Sequence, residues 1–111
     1  MRRAARWDGY VPIKQGGMLP EDWREAMTYI KQYRTSDTPF DLVGGAELPA
    51  DPAAARDRLH EYADVGLTWW LDAIDPWGMG ANWEAPWQPE YTKKMLDRID
   101  RGPLKLYPSR L

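Results

Sequence analysis

The stretch Leu67-Thr68-Trp69-Trp70-Leu71-Asp72-Ala73-Ile74 follows a helix that stops at Gly66, and it constrains the fold more than any other segment. Neighbouring side chains of an extended strand point to opposite faces, so adjacent tryptophans require cover on both sides. Strands buried on both faces belong to parallel sheets layered with helices. A chain of 111 residues has little material for two layers, and it reads as part of something larger.

Three proline-started helices punctuate the chain. The first begins at Pro20, with Glu21 and Asp22 in its first turn, where acids suit the positive end of the helix dipole. Trp23, Ala26, Met27, Ile30 and Tyr33 follow at steps of three and four and define one apolar face ending near Arg34. The second is capped by Asp51 before Pro52, has Ala55, Leu59, Tyr62 and Ala63 as its stripe, and stops at Gly66. The third begins around Gln88-Pro89-Glu90, turns Tyr91, Met95, Leu96 and Ile99 inward, sets Asp97 four residues before Arg101, and stops at Gly102-Pro103. Each is preceded by a short apolar segment: Gly9 to Ile13 (interrupted by Pro12), Phe40 to Gly45, and Leu67 to Ile74. Strand and helix alternate three times, which implies parallel strands joined by crossovers. Arg2 to Arg6 reads as the end of an earlier helix or a connecting turn. Residues 1–103 then form three β/α units, and residues 104–111 a tail.

Composition narrows the function classes. The net charge is −2 with acids and bases interspersed, so no basic block favours nucleic acid or anionic lipid. With no cysteine and one histidine, neither a disulfide framework nor a zinc site is expected. No apolar run approaches the roughly 18 residues of a membrane span, and Met1-Arg2-Arg3 is not followed by the apolar core of a secretory signal. A cytoplasmic protein is the expected setting.

Three parallel strands with helices on one side leave two strand edges and one sheet face uncovered. The missing cover comes either from another chain or from the rest of a closed barrel. In a (β/α)8 barrel one face of each strand packs into the barrel interior and the other meets helices. The expected fold class is therefore α/β, a partial TIM barrel of about three units.

Five segments bring in a family. Arg3-Ala4-Ala5-Arg6-Trp7-Asp8-Gly9 with Pro12, Leu19-Pro20-Glu21-Asp22, Pro39-Phe40-Asp41-Leu42-Val43, Tyr62-Ala63-Asp64-Val65-Gly66-Leu67-Thr68-Trp69-Trp70-Leu71-Asp72 and Arg98-Ile99-Asp100-Arg101-Gly102-Pro103 occur in this order. Together they resemble the C-terminal portion of the luciferase-like flavin-dependent monooxygenases. That resemblance implies a (β/α)8 barrel that binds FMN or the deazaflavin F420, acts on a small organic substrate, and either activates dioxygen or moves a hydride. It covers the last three β/α units; five preceding units have no counterpart here. Met1 would then be an internal methionine of a longer ancestral frame, and the chain alone would be weakly active or silent.

Several residues are candidates for a site, each with an ordinary alternative. Trp69 or Trp70, with Trp70 preferred, would lie along the isoalloxazine ring by aromatic stacking; core packing is the alternative. Gly44 and Gly45, at the end of the second strand, would let backbone approach a ligand, near where barrels bind phosphate. Lys14-Gln15-Gly16-Gly17 would hold a phosphate or form a plain loop. Residues 75–88 make an irregular stretch longer than the usual connection of about 2–6 residues. Its Trp77, Trp83 and Trp87 would cap a substrate, stack on a sugar, or pack on one another. Asp72, Asp75 and Glu84 would do acid–base chemistry or remain solvated. His60, with the charges Arg56, Asp57, Arg58 and Glu61, reads as helix surface, and Asp8 as a turn cap or, alternatively, a border of the cofactor site. No residue is singled out as catalytic. Two further readings remain: a non-enzymatic interaction module that pairs with a missing barrel half or with itself, and a carbohydrate-binding module resting on the loop tryptophans.

Overall fold

The second expected helix shows how local chemistry sets the element boundaries. Asp51 accepts the Ala54 N–H at 2.9 Å and so caps the first turn, Pro52 occupies the first helical position, and Gly66 adopts φ +103° just past the end. In a computed structural model describing residues 1–105, all three helices begin at a proline, as expected. After a 3-10 turn at Ala4–Arg6 come β1 (Gly9–Tyr10), α1 (Pro20–Tyr33), β2 (Asp41–Gly44), α2 (Pro52–Asp64), β3 (Trp69–Trp70) and α3 (Pro89–Arg101). Of the expected tail, residues 106–111 lie outside the described residues.

The chain divides into two compact units, Met1–Leu71 and Asp72–Leu111. The first holds a three-stranded sheet of order β1-β2-β3, parallel throughout, with Tyr10 opposite Leu42, Val43 opposite Trp69, and Gly44 opposite Trp70. Alternation along the strands then sorts the side chains. Tyr10, Leu42, Gly44 and Trp70 share one face, while Gly9, Asp41, Val43 and Trp69 share the other.

The first face meets both helices of this unit. Trp23 of α1, Leu42 and Tyr62 of α2 are each 1 % exposed and form the centre of the core. Tyr10 stands edge-on to Trp23 with centroids 6.2 Å apart, and Trp70 lies 5.1 Å from Tyr62. Ala26, Ile30, Ala55 and Leu59 complete the buried stripes as expected from their spacing. Ala63 and Tyr33, assigned to the same stripes, are exposed, although Tyr62 and Ile30 in the same last turns are buried.

The second face has no comparable cover, which corrects the expectation that both indoles are sheltered. Trp70 is half-buried, but Trp69 is 62 % exposed. The strand is also shorter than the eight residues expected. β3 pairs with β2 over Trp69 and Trp70, and the Leu71 N–H donates to the Gly44 carbonyl at 2.8 Å as the last ladder bond, where Gly45 runs close against the Leu71 backbone.

Arg34, just past α1, ties the N-terminal turn to the loop that leads into β2. Its guanidinium donates to the carbonyls of Ala5 (3.3 Å), Trp7 (2.7 Å) and Thr38 (2.8 Å), and to Thr38 Oγ1 (2.9 Å), and its carbon lies 4.7 Å from the centroid of the Phe40 ring. Three carbonyls from two chain segments converge on one cation.

In the second unit α3 carries Arg98, which pairs with Asp72 and donates to the Gly102 carbonyl at 2.6 Å, closing the C-terminal turn. No α3 residue is buried: Tyr91 and Met95 are half-buried, and Leu96 and Ile99 are exposed rather than turned inward.

A β-carbon on Gly44 would sit 2.5 Å from the Trp23 ring. Gly44→Ala is therefore expected to destabilise the protein by about 1–3 kcal/mol through overpacking, read as a lower midpoint in urea. An unchanged midpoint would show that the indole moves aside freely.

Candidate functional site

Ligands of parallel α/β folds bind outside the carboxyl ends of the strands. Here that end gathers the loop after β1, the turn after β2 and the residue following β3. A β-carbon on Gly17 would lie 3.0 Å from the Gly45 carbonyl oxygen and 3.2 Å from Ala46, so the first two loops touch. Gly45 in turn lies against the carbonyl of Leu71.

The expected phosphate elements are present but engaged. Lys14 donates to Asp22 Oδ2 at 2.8 Å, and the same oxygen accepts the Leu19 N–H at 2.8 Å. The lysine thus reinforces the cap of α1. Gly16 and Gly17 adopt φ +79° and +82°, conformations that glycine reaches without strain, and the Gly17 N–H closes a turn on the Lys14 carbonyl at 2.9 Å. Gly44 and Gly45 also have structural reasons to be glycine. The first is the seat of the Trp23 indole, and the second is where β2 passes the backbone of β3.

The two indoles of β3 have separate roles. Trp70 faces the helix layer against Tyr62, and Trp69 is the one on the open face. The indole N–H of Trp70 and the hydroxyl of Tyr62 are both buried without a hydrogen-bond partner among the described residues. Burial raises the Tyr62 phenol above its ordinary value, partly offset by Arg58, whose guanidinium lies 5.4 Å from the ring centroid. His60 sits half-buried on α2, and Arg58 pairs with Glu61 along the solvated side. Asp8 contributes its backbone carbonyl, which accepts the Asp41 N–H at 2.9 Å.

In the second unit the loop over residues 75–88 packs largely on itself. Trp77 and Trp83 lie 4.5 Å apart with planes inclined by 33°, and Trp87 meets Tyr91 edge-on at 5.6 Å. Asp75 accepts the Gly78 N–H at 2.7 Å, Asn82 accepts the Glu84 N–H at 3.0 Å, and Asp72 is held by Arg98. Two of the three candidate carboxylates therefore have structural partners. Trp83 remains 82 % exposed. No group of three or more His, Asp or Glu side chains that could hold a metal ion occurs among the described residues.

Two polar contacts escaped the sequence analysis. Thr68 Oγ1 accepts the Leu42 N–H at 3.0 Å and lies 3.0 Å from Asp41 Oδ1, extending the β2–β3 pairing one step by a side chain. Arg34 bonds a turn 29 residues upstream. The Thr35 to Pro39 turn signal beside Arg34 marked a loop, but no local pattern marks such a distant carbonyl.

No protein-family model, curated protein or solved structure matches this chain. No helix among the described residues is long and apolar enough to cross a membrane.

Hydrogen bonds from Lys14 and from the Leu19 N–H, in that order, hold the Asp22 carboxyl below its usual 3.8. A depressed carboxylate stabilises the fold fully above its unfolded pKa, and that contribution is lost as pH falls through the folded value. The advantage in urea midpoint of the parent over Asp22→Asn is thus expected to be constant above about pH 5 and to shrink below about pH 4. A gap independent of pH down to acid unfolding would remove Asp22 as an ionised cap.

Proposed function

We propose that this chain forms three consecutive β/α units of a TIM-type barrel of the luciferase-like flavin-dependent oxidoreductases, with FMN or F420 approaching the carboxyl-end face. One observation carries the reading most. The strands are neighbours in chain order, all parallel, with α1 and α2 on the same face. A barrel adds each strand beside the last with helices outside, as these three units do; one half of a doubly wound sheet has the same local order, so the choice of a barrel rests on the family resemblance. The apolar side chains on the opposite face, Val43 and Trp69, suit a barrel interior.

The fit to a flavin is partial. Trp69 offers an aromatic wall, and Gly45 brings backbone to the strand ends. Trp70, preferred from sequence, faces the helix layer, so the ring-bordering role passes to Trp69. Lys14 would have to leave Asp22 to meet a phosphate. Catalysis is assigned to the complete barrel, and no residue here is given a proton- or hydride-transfer role. A cytoplasmic setting accords with this reading.

A titration tests it. With the chain at about 0.1 µM, FMN and F420 fluorescence should show weak saturable binding, with a dissociation constant on the order of 0.1–1 mM. Trp69→Ala should weaken it at least about fivefold through lost stacking, and Trp83→Ala should not. No saturable binding of either cofactor, or equal loss in both variants, would remove the flavin reading.

The alternative, an interaction module, draws on the same uncovered face and the unpaired outer edges of β1 and β3.

A further inference from the structure

We propose that the aromatic corner formed by Trp87 and Tyr91 binds a small quaternary ammonium cation, with nearby carboxylates supplying the opposite charge. Trp87 stands just before α3 and Tyr91 lies in its first turn; their rings meet at 80° with centroids 5.6 Å apart. Two walls at right angles leave a corner where a cation can stand within about 6 Å of both centroids, the reach of a cation–π contact. Trp77 and Trp83 offer no such corner: at 4.5 Å and 33° they admit nothing between them. The Trp87 ring is reachable, at 54 % exposure, and Tyr91 is half-buried, which fixes one wall. Neither ring has a cation of the protein over it. Among the described residues the guanidinium groups that cover rings lie on Tyr33, Phe40 and Tyr62.

Charge selects a cation over a neutral ligand. From Ala73 to Thr92 the chain carries Asp75, Glu84 and Glu90 and no lysine, arginine or histidine. Asp75 is occupied by the Gly78 N–H. The carboxylates of Glu84 and Glu90 are exposed and make no hydrogen bond or ion pair among the described residues. Glu90 directly precedes Tyr91, on the first turn of α3. Uncompensated negative charge beside exposed rings attracts a cation and repels an anion. The kind of cation follows from what is missing. A metal ion needs several converging oxygen ligands, and no such group occurs among the described residues. A primary ammonium would give up hydrogen bonds to water that ring faces replace poorly. A quaternary ammonium has no N–H to desolvate and spreads its charge over methyl groups that pack on aromatic faces. The flavin reading rests on residues of the first unit, so either can fail without the other.

Proton–nitrogen NMR spectra of the full 111-residue chain, titrated with choline chloride at constant ionic strength, read the outcome. The signals of Trp87 and Tyr91 should shift and saturate with a dissociation constant on the order of 1–10 mM. The uncharged isostere of choline, with carbon in place of nitrogen, should bind at least about tenfold more weakly, because only the charge differs. This comparison uses the parent chain and needs no variant to fold. Trp87→Leu, which keeps apolar bulk without the ring, should weaken choline at least about fivefold. Glu90→Gln should weaken it about twofold, as befits a solvated charge. Trp83→Leu should bind choline like the parent. Signals that do not saturate by about 50 mM choline overturn the proposal. So does an isostere that binds as well as choline, or a loss in Trp83→Leu equal to that in Trp87→Leu. Tighter binding of phosphocholine than of choline would make the ligand a zwitterion indifferent to the carboxylates, and would overturn it too.

Discussion

The seating of the Trp23 indole on Gly44 is the contact on which the rest of the first unit depends. The ring reaches the sheet because residue 44 lacks a β-carbon, and it then touches Leu42, while Tyr10 closes one edge. Tyr62 approaches from α2 and draws Trp70 onto the same layer. Strands of two to four residues contribute few ladder hydrogen bonds, so the sheet is held by aromatic packing on one face rather than by long pairing.

That one-sidedness links fold to function. Because α1 and α2 lie over one face, Trp69 on the other is left exposed. The carboxyl end of the sheet is built close, with backbone meeting backbone at Gly17, Gly45 and Leu71. Its polar groups mostly satisfy one another, as Lys14 does with Asp22. The glycines that suggested a ligand thus have internal reasons to be glycine. What the carboxyl end offers a ligand is shape and an aromatic neighbour, not a free charge.

Helix boundaries were legible because they rest on neighbours in sequence. Pro20, Asp51-Pro52, Gln88-Pro89, Gly66 and Gly102 act through their own backbone angles and first-turn hydrogen bonds, and the helices begin and end there. The apolar stripe of α1 was legible for the same reason. The self-packing of Trp77 on Trp83 was one of the alternatives that proximity in the chain left open. Strand length was not legible, because it is set by how far a neighbour extends: of the apolar run from Leu67 to Ile74, two residues pair with the end of β2. Arg34 was invisible for a related reason, since its acceptors are carbonyls that only the folded chain brings near.

By itself, the sequence determined the alternation of strand and helix, the ends of each helix, and the presence of two indoles on opposite sides of the last strand. All of these follow from local stereochemistry and the two-residue period of extended backbone. Only the tertiary structure decided which indole is covered. Register placed Trp70 beside Gly44 under the helices and Trp69 beside Val43 on the open side. Register is a relation between strands, fixed by the packing of Trp23 and Tyr62 across the sheet, and no single stretch of chain carries it.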